Sequence, residues 1–118
     1  MLNEKQKTGL WGEVLAVRYL RDRGYLILNT NFRVGRAEID IIAQKDGVLS
    51  IVEVKTRAPG ALLPPAENVD WEKQENLRFA ASVAHRLYDE TAPLRFDIAE
   101  VLFESPTKHT VNFIQNAF

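Results

Sequence analysis

The stretch that most constrains this chain runs from Ala37 to Arg57, A-E-I-D-I-I-A-Q-K-D-G-V-L-S-I-V-E-V-K-T-R. Two apolar, β-branched runs flank Asp46-Gly47, a dipeptide that favours a tight two-residue turn. With that turn, Lys45 pairs with Val48 and the ladder runs back along both strands. Asp40 then falls opposite Glu53, and Glu38 opposite Lys55. Side chains alternate between faces along a strand, so Glu38, Asp40, Glu53 and Lys55 share one face. Directly opposed side chains have Cβ atoms roughly 4.5–5.5 Å apart. Two carboxylates at that spacing repel unless positive charge lies between them. A divalent cation together with Lys55 supplies it. A longer turn or a bulge would shift the pairing by one residue and move these groups.

The remaining sequence bears on whether a site is built around that hairpin. Residues 3 to 23 carry a helical period, with Asn3 and Gln6 placed for a capping box and Gly24 for a C-terminal stop. Leu10, Val14, Val17 and Leu20 form its expected apolar stripe. Glu13 falls inside that stripe, where an unpaired carboxylate is expensive. It either joins the acidic cluster or reaches solvent or an arginine at the helix end. Residues 25 to 32 are expected to form a strand and 33 to 36 a turn around Gly35. Residues 58 to 68, with Pro59, Gly60, Pro64 and Pro65, are expected to be a mobile loop beside the site.

A second helix is expected over 70 to 88, burying Leu77, Ala80, Ala81, Ala84, Leu87 and Tyr88. Lys73 and Gln74 extend that face at its N-terminal end, and either point to a polar cavity at its edge or are simply the solvated first turn. His85 has no partner histidine at metal-binding spacing and is expected to be a packed or surface residue. Residues 95 to 103 alternate as a strand. Asp97 within it either joins the site or fixes Arg95 or a nearby backbone amide. Residues 111 to 114 are expected to form a last edge strand. The order is α-β-β-β-α-β-β, an α/β sandwich around a mixed sheet.

Composition narrows the classes. The 118 residues are expected to form a single domain spanning 1–118. Fifteen basic and sixteen acidic residues give a net charge of -1, so nucleic acid would be held by a local basic rim and not by bulk charge. A homodimer that assembles one basic channel from two such rims is consistent with that balance. The absence of cysteine excludes thiolate metal sites and disulfides. No apolar run reaches the ~18 residues of a membrane helix, and the first residues lack the apolar segment of a signal peptide. The expectation is a cytoplasmic protein without a membrane span.

Specific local motifs accompany this order of elements. They are G-L-W-G-E at Gly9 to Glu13, Asn31-Phe32-Arg33, E-I-D-I-I-A at Glu38 to Ala43, V-E-V-K-T-R at Val52 to Arg57, Lys73-Gln74 and Arg95-Phe96-Asp97. Over nearly its whole length the chain resembles the small bacterial YraN-like family. That family lies within the PD-(D/E)xK superfamily of restriction-endonuclease-like nucleases. The resemblance implies an αβββαβ core with a mixed central sheet flanked by helices. It implies that Asp40 and Glu53 are acidic metal ligands, Lys55 the catalytic lysine and Glu13 the helix-borne acidic residue. Ala37 stands where the family usually has glycine, and Ile39 replaces the proline of the superfamily motif. Neither change removes a charge.

Phosphodiester hydrolysis needs a divalent metal to neutralise phosphate charge and acidify a water. It needs oxygen ligands to hold that metal and a cation to stabilise developing charge. Asp40, Glu53 and Glu13 are the expected ligands of Mg²⁺ or Mn²⁺, with the Val54 carbonyl beside them, and Lys55 is the expected cation. Arg33, Arg36, Arg57, Lys73 and Gln74 are the expected substrate contacts. The expectation is a metal-dependent endonuclease acting on DNA, with branched or damaged DNA as its narrower form. Two alternatives stand beside it. One is a non-catalytic nucleic-acid-binding or adaptor protein that keeps the fold. The other is an acidic cluster held by Lys55 and arginines without metal.

Overall fold

The computed structural model describes residues 1–58 and 70–118, with the Lys5 side chain excepted. Apart from Ala58, the loop expected over 58 to 68 lies outside the described residues. The order is α1 (Glu4–Asp22), β1 (Leu26–Val34), β2 (Ala37–Lys45), β3 (Val48–Arg57), α2 (Trp71–Tyr88), β4 (Leu94–Ser105) and β5 (Lys108–Ile114). The strands lie in one sheet in sequence order. Among the described strands only β3 and β4 run parallel. This is the αβββαβ arrangement expected, with one further edge strand. Neither described helix is long and apolar enough to cross a membrane.

Local chemistry sets the element ends. Asn3 Oδ1 accepts from the Gln6 amide at 2.8 Å while Gln6 Oε1 accepts from the Asn3 amide at 3.0 Å, the reciprocal cap expected of this pair. Gly24, at φ 88°, ends α1 in the left-handed conformation that glycine adopts without strain. Asp46 and Gly47 both have positive φ, 51° and 76°, as a turn matched to sheet twist requires. Lys45 pairs with Val48, and the register runs back to Ile41 opposite Val52 as expected. The first strand extends further than the sequence suggests. Arg33 pairs with Glu38 and Val34 with Ala37, so the turn contracts to Gly35-Arg36. The later strands are likewise longer than expected, because β4 and β5 continue to a short turn at Pro106-Thr107.

The sheet is covered on both faces. Under α2 lie Ile39, Ile42, Leu49, Ile51 and Ile98, packed on Leu77, Ala80, Ala81 and Ala84. Under α1 lie Ile41, Ala43, Val52, Ala99 and Val101, packed on Leu15, Ala16 and Leu20. The α1 stripe therefore differs from the one expected. Leu10 and Val14 are 49% and 41% exposed, whereas Gly12, Leu15, Ala16 and Leu20 are buried. The reason is close approach. A Cβ built on Gly12 would fall on the Thr56 hydroxyl and 3.1 Å from Thr56 Cβ and Cγ2. The helix presents its smallest residues to β3, and the bulkier Leu10 and Val14 roll outward. Leu87 and Tyr88 are also exposed, contrary to expectation. The last turn of α2 passes the sheet edge, where Tyr88 meets Phe32 edge-on and its hydroxyl accepts from Asn29 at 2.9 Å.

Candidate active site

Strict alternation fails at one residue of β2, and that residue is Asp40. Ile39 packs under α2 while Ile41 and Ala43 pack under α1. The facing of β2 thus reverses around Asp40. The regular β2–β3 pairing also stops here, at Ile41 and Val52. In place of the next ladder bond, the Val54 amide donates to Asp40 Oδ2 at 2.8 Å. A side-chain carboxylate has taken an amide that a strand carbonyl would otherwise hold. This break aims Asp40 at Glu53.

Glu38, Asp40 and Glu53 line one cavity of about 180 Å³, with Arg36 from the β1–β2 turn and Lys73, Asn76 and Leu77 from α2. Of the four side chains expected on one face of the hairpin, Glu38, Asp40 and Glu53 line this cavity and Lys55 does not, and the regular ladder stops before the expected Asp40–Glu53 and Glu38–Lys55 pairs; a polar cavity does lie at the start of α2. Glu53 is buried, 5% exposed. Its Oε1 takes a close ion pair from Lys73 Nζ and lies 3.7 Å from Lys55 Nζ. Lys73 was expected to hold substrate; in this structure its charge faces Glu53. Arg33 Nη2 is 3.7 Å from Glu38 Oε2 on the surface. Gln74 opens the second turn of α2, its amide donating to the Asp70 carbonyl at 2.9 Å.

The electrostatics follow from burial and crowding. Asp40 is pushed up from 3.8 to about 8, first by burial, then by the Glu53 charge, against the opposing Val54 hydrogen bond. Burial also depresses Lys55, and the neighbouring Lys73 ammonium depresses it further. For Lys73 burial acts in the same direction but is outweighed by the hydrogen bond and charge of Glu53, so its value rises. Glu13 approaches from the α1 layer. Burial raises its carboxyl, a hydrogen bond from Asn31 counters that rise, and the charges of Glu38 and Glu53 add to it. The Glu13 side chain is half-buried and borders a surface groove that Asn31, Arg18 and Arg21 also line; it is not among the residues lining the Asp40–Glu53 cavity. Arg57, at the end of β3, has its Nε and Nη2 buried without a hydrogen-bond partner among the described residues.

The donor set suits a hard dication. It is all oxygen, and burial, with the Glu53 charge added to it, drives the Asp40 carboxyl towards its neutral form. An intervening cation would relieve that penalty. Among the described residues no three His, Cys, Asp or Glu side chains are already gathered in a metal-holding cluster. Asp40 and Glu53 are the pair that would hold the ion, with Glu13 beyond them.

Other expectations resolve by geometry. Asp97 is fully buried and accepts from Arg95 Nε at 2.9 Å, from the Asn116 amide at 3.0 Å and from the Ser50 hydroxyl. It fixes Arg95 and a backbone amide, the second of its two expected roles. His85 Nε2 donates to the Ala92 carbonyl at 2.7 Å, a part-buried structural hydrogen bond. The sequence reading missed Asn31, Asn76 and the role of Gly12. A signal existed for Asn31, since an asparagine inside a β-branched and aromatic run invites a left-handed residue. It existed for Gly12 too, as a glycine inside a helix beside an acidic residue.

Residues 12–101, which include every acidic and lysine residue of this site, match UPF0102, described as an uncharacterised protein family. The chain belongs to the UPF0102 family. This is the YraN-like family that the sequence motifs indicate. A UPF0102 protein of Alkaliphilus oremlandii is 42% identical over 117 residues, covering 96% of this chain and 98% of its own length. One from Caldicellulosiruptor bescii is 40% identical, covering 99% and 100%. One from Bacteroides thetaiotaomicron is 40% identical, covering 98% and 94%. The UPF0102 likeness thus runs end to end through both helices and the sheet.

Proposed function

We propose that this UPF0102 protein is a metal-dependent endonuclease that hydrolyses phosphodiester bonds in DNA. The observation that carries the reading is the break in β2, which turns Asp40 onto Glu53 with Lys55 Nζ 3.7 Å from the Glu53 carboxylate. A Mg²⁺ or Mn²⁺ ion held by Asp40 and Glu53 would supply charge neutralisation at the phosphate and a more acidic water. The protein's own groups do the rest. Lys55, depressed by burial and by Lys73, orients the attacking water through Nζ and exchanges a proton with it readily. Arg57, whose buried Nε and Nη2 have no hydrogen-bond partner among the described residues, would give N–H donors to a phosphate oxygen once exposed to it. Arg36, on the cavity rim, and the exposed Arg33 position flanking phosphates.

One observation favours a second reading. Lys73 already compensates Glu53, as it would in a nucleic-acid-binding protein that keeps the fold, holds its acidic cluster with lysines and cuts nothing. A cleavage assay with Mg²⁺ or Mn²⁺ on linear, nicked and branched DNA separates the two. The first reading expects cleavage that EDTA abolishes. It also expects Lys55→Ala to lower the rate by roughly 10²–10³-fold, as for loss of one electrostatic contact, while metal binding persists. Salt-sensitive DNA binding that ignores EDTA, with no product on any substrate, would establish the second. Unchanged cleavage in Lys55→Ala would remove that residue from the mechanism.

A further inference from the structure

The two edges of the sheet are built differently. Among the described strands β1 and β5 are the outermost. An edge strand offers unpaired backbone N–H and C=O groups to any further strand, and proteins blunt such edges with bulges, charges and prolines. β1 is blunted. Its pairing with β2 shifts register between Ile27 and Asn29, and Asn31 within it has a positive φ of 54°. A strand so interrupted presents no regular ladder to a partner. β5 is not blunted. Its pairing with β4 runs without a shift from His109 opposite Phe103 to Ile114 opposite Ile98. None of its residues has positive φ. It contains no proline, and Lys108 at its start is its only lysine, arginine or acidic residue.

The sequence of β5 indicates what fits beside it. His109-Thr110-Val111-Asn112-Phe113 has the same chemical order in either direction: aromatic, polar, valine, polar, aromatic. Two such strands paired antiparallel about Val111 place Val111 opposite its own copy, each His109 opposite a Phe113 and each Thr110 opposite an Asn112. Directly opposed residues face the same side, so the rings and valines of both copies share the face under α1, where Val111 and Phe113 already pack. The rings are held there by their own chain. His109 lies 6.0 Å from Phe103, and Phe113 lies 5.8 Å from Tyr25 and 6.2 Å from Tyr19. Thr110 and Asn112 lie on the other face, where Asn112 Nδ2 donates to Glu100 at 3.1 Å. No like charges meet, because Lys108 falls opposite Ile114. Along the same edge runs a groove between α1 and β5, lined by Arg18, Tyr19, Asp22, Arg23, His109 and Val111 among others. Its rim carries both signs of charge, so a second copy of that rim meets it without net repulsion. We infer that β5 is an interface for a second copy of this chain, which joins by antiparallel β5–β5 pairing centred on Val111 and makes one continuous sheet across both copies. The inference is independent of the nuclease reading.

The chain has no cysteine, so an introduced one reports without background. Light scattering and sedimentation of the full chain at about 1–100 µM, the range in which modest interfaces associate, are expected to give twice the 13.4 kDa chain mass. Under mild oxidation Val111→Cys is expected to cross-link as a dimer, because a directly opposed pair comes within disulfide reach. Thr110→Cys is expected not to, since its own copy lies on the diagonal, roughly 7–8 Å away. Thr110→Lys combined with Asn112→Lys puts two pairs of like charges directly across the interface. That variant is expected to raise the dissociation constant about 10-fold or more while the monomer stays folded. A wild type that is monomeric throughout the range would overturn the inference. So would a dimer in which Val111→Cys cross-links no better than Thr110→Cys, or one that the two lysines leave equally tight. If Val111→Cys does not fold by circular dichroism, the lysine variant alone decides, because Thr110 and Asn112 are both exposed.

Discussion

Asp40→Asn is the substitution for which the structure gives a signed, pH-dependent expectation. The Asp40 carboxyl rises from 3.8 to about 8 through burial and then the Glu53 charge. A carboxyl whose folded-state value lies above its unfolded value keeps its proton longer in the fold than in the free chain. Its stabilising contribution is full below the unfolded value and is lost as pH climbs to the folded one. The window here runs from about pH 4 to about pH 8. At about 1.4 kcal/mol per tenfold change in proton affinity, the rise caps the loss at roughly 5–6 kcal/mol. Water entering the cavity and relaxation of the strand end reduce that, and about 2–3 kcal/mol is the working expectation. Asparagine mimics the protonated acid, can still accept from the Val54 amide, and does not titrate. In EDTA, the stability of Asp40→Asn relative to wild type is therefore expected to grow steadily from pH 4 to pH 8. Urea unfolding at four pH values across that window measures it. Added Mg²⁺ favours the ionised pair, so at pH 8 it is expected to stabilise wild type and leave the variant unchanged. A difference that is flat with pH, or that turns against the variant as pH rises, would refute the reasoning. It would mean that the Val54 hydrogen bond and the nearby lysines keep Asp40 comfortably ionised.

Lys73→Met keeps the aliphatic stem and removes the ammonium that pairs with Glu53. In EDTA it is expected to cost roughly 1–3 kcal/mol, the scale for a lost hydrogen bond to a charged group. Mg²⁺ is expected to bind it more tightly than wild type, since one competing cation is gone, and unchanged affinity in calorimetry would show that Lys73 does not compete for the site. Gly12→Ala would stabilise an isolated helix by about 1 kcal/mol, but here the methyl meets Thr56. A net loss of about 1–3 kcal/mol is expected in urea unfolding, largely recovered by adding Thr56→Ala; a stabilised single variant would show that α1 does not rest on β3 as closely as the structure has it.

The parts legible in the sequence are those governed by local chemistry. Asp46-Gly47 dictates its own turn, and the register of β2 on β3 follows from it. The capping pair Asn3 and Gln6 and the small buried face of α2 follow likewise from neighbours a few residues away. The face of α1 was not legible, because it depends on how near a helix can come to a strand. Hydrophobicity favours Leu10 and Val14 for the core, whereas contact distance favours Gly12 and Ala16, and contact distance prevails. The same limit applies to Lys73. Its place at the start of a helix marks it for a cavity rim, but only the fold shows that the rim's anion is Glu53.

The candidate site turns on the point where strand periodicity is interrupted. Had β2 kept strict alternation, with Ile41 on the Ile39 face, its ladder with β3 could have continued past Val52. The Val54 amide would then have been free to pair with a backbone carbonyl. The reversal at Asp40 ends the regular pairing, gives that amide a carboxylate acceptor and brings two acidic side chains to one cavity. An interruption of this kind weakens a sheet, and two crowded carboxylates add to the cost. Such a feature persists where function needs it, and under the nuclease proposal Asp40 and Glu53 would give it one by holding a cation.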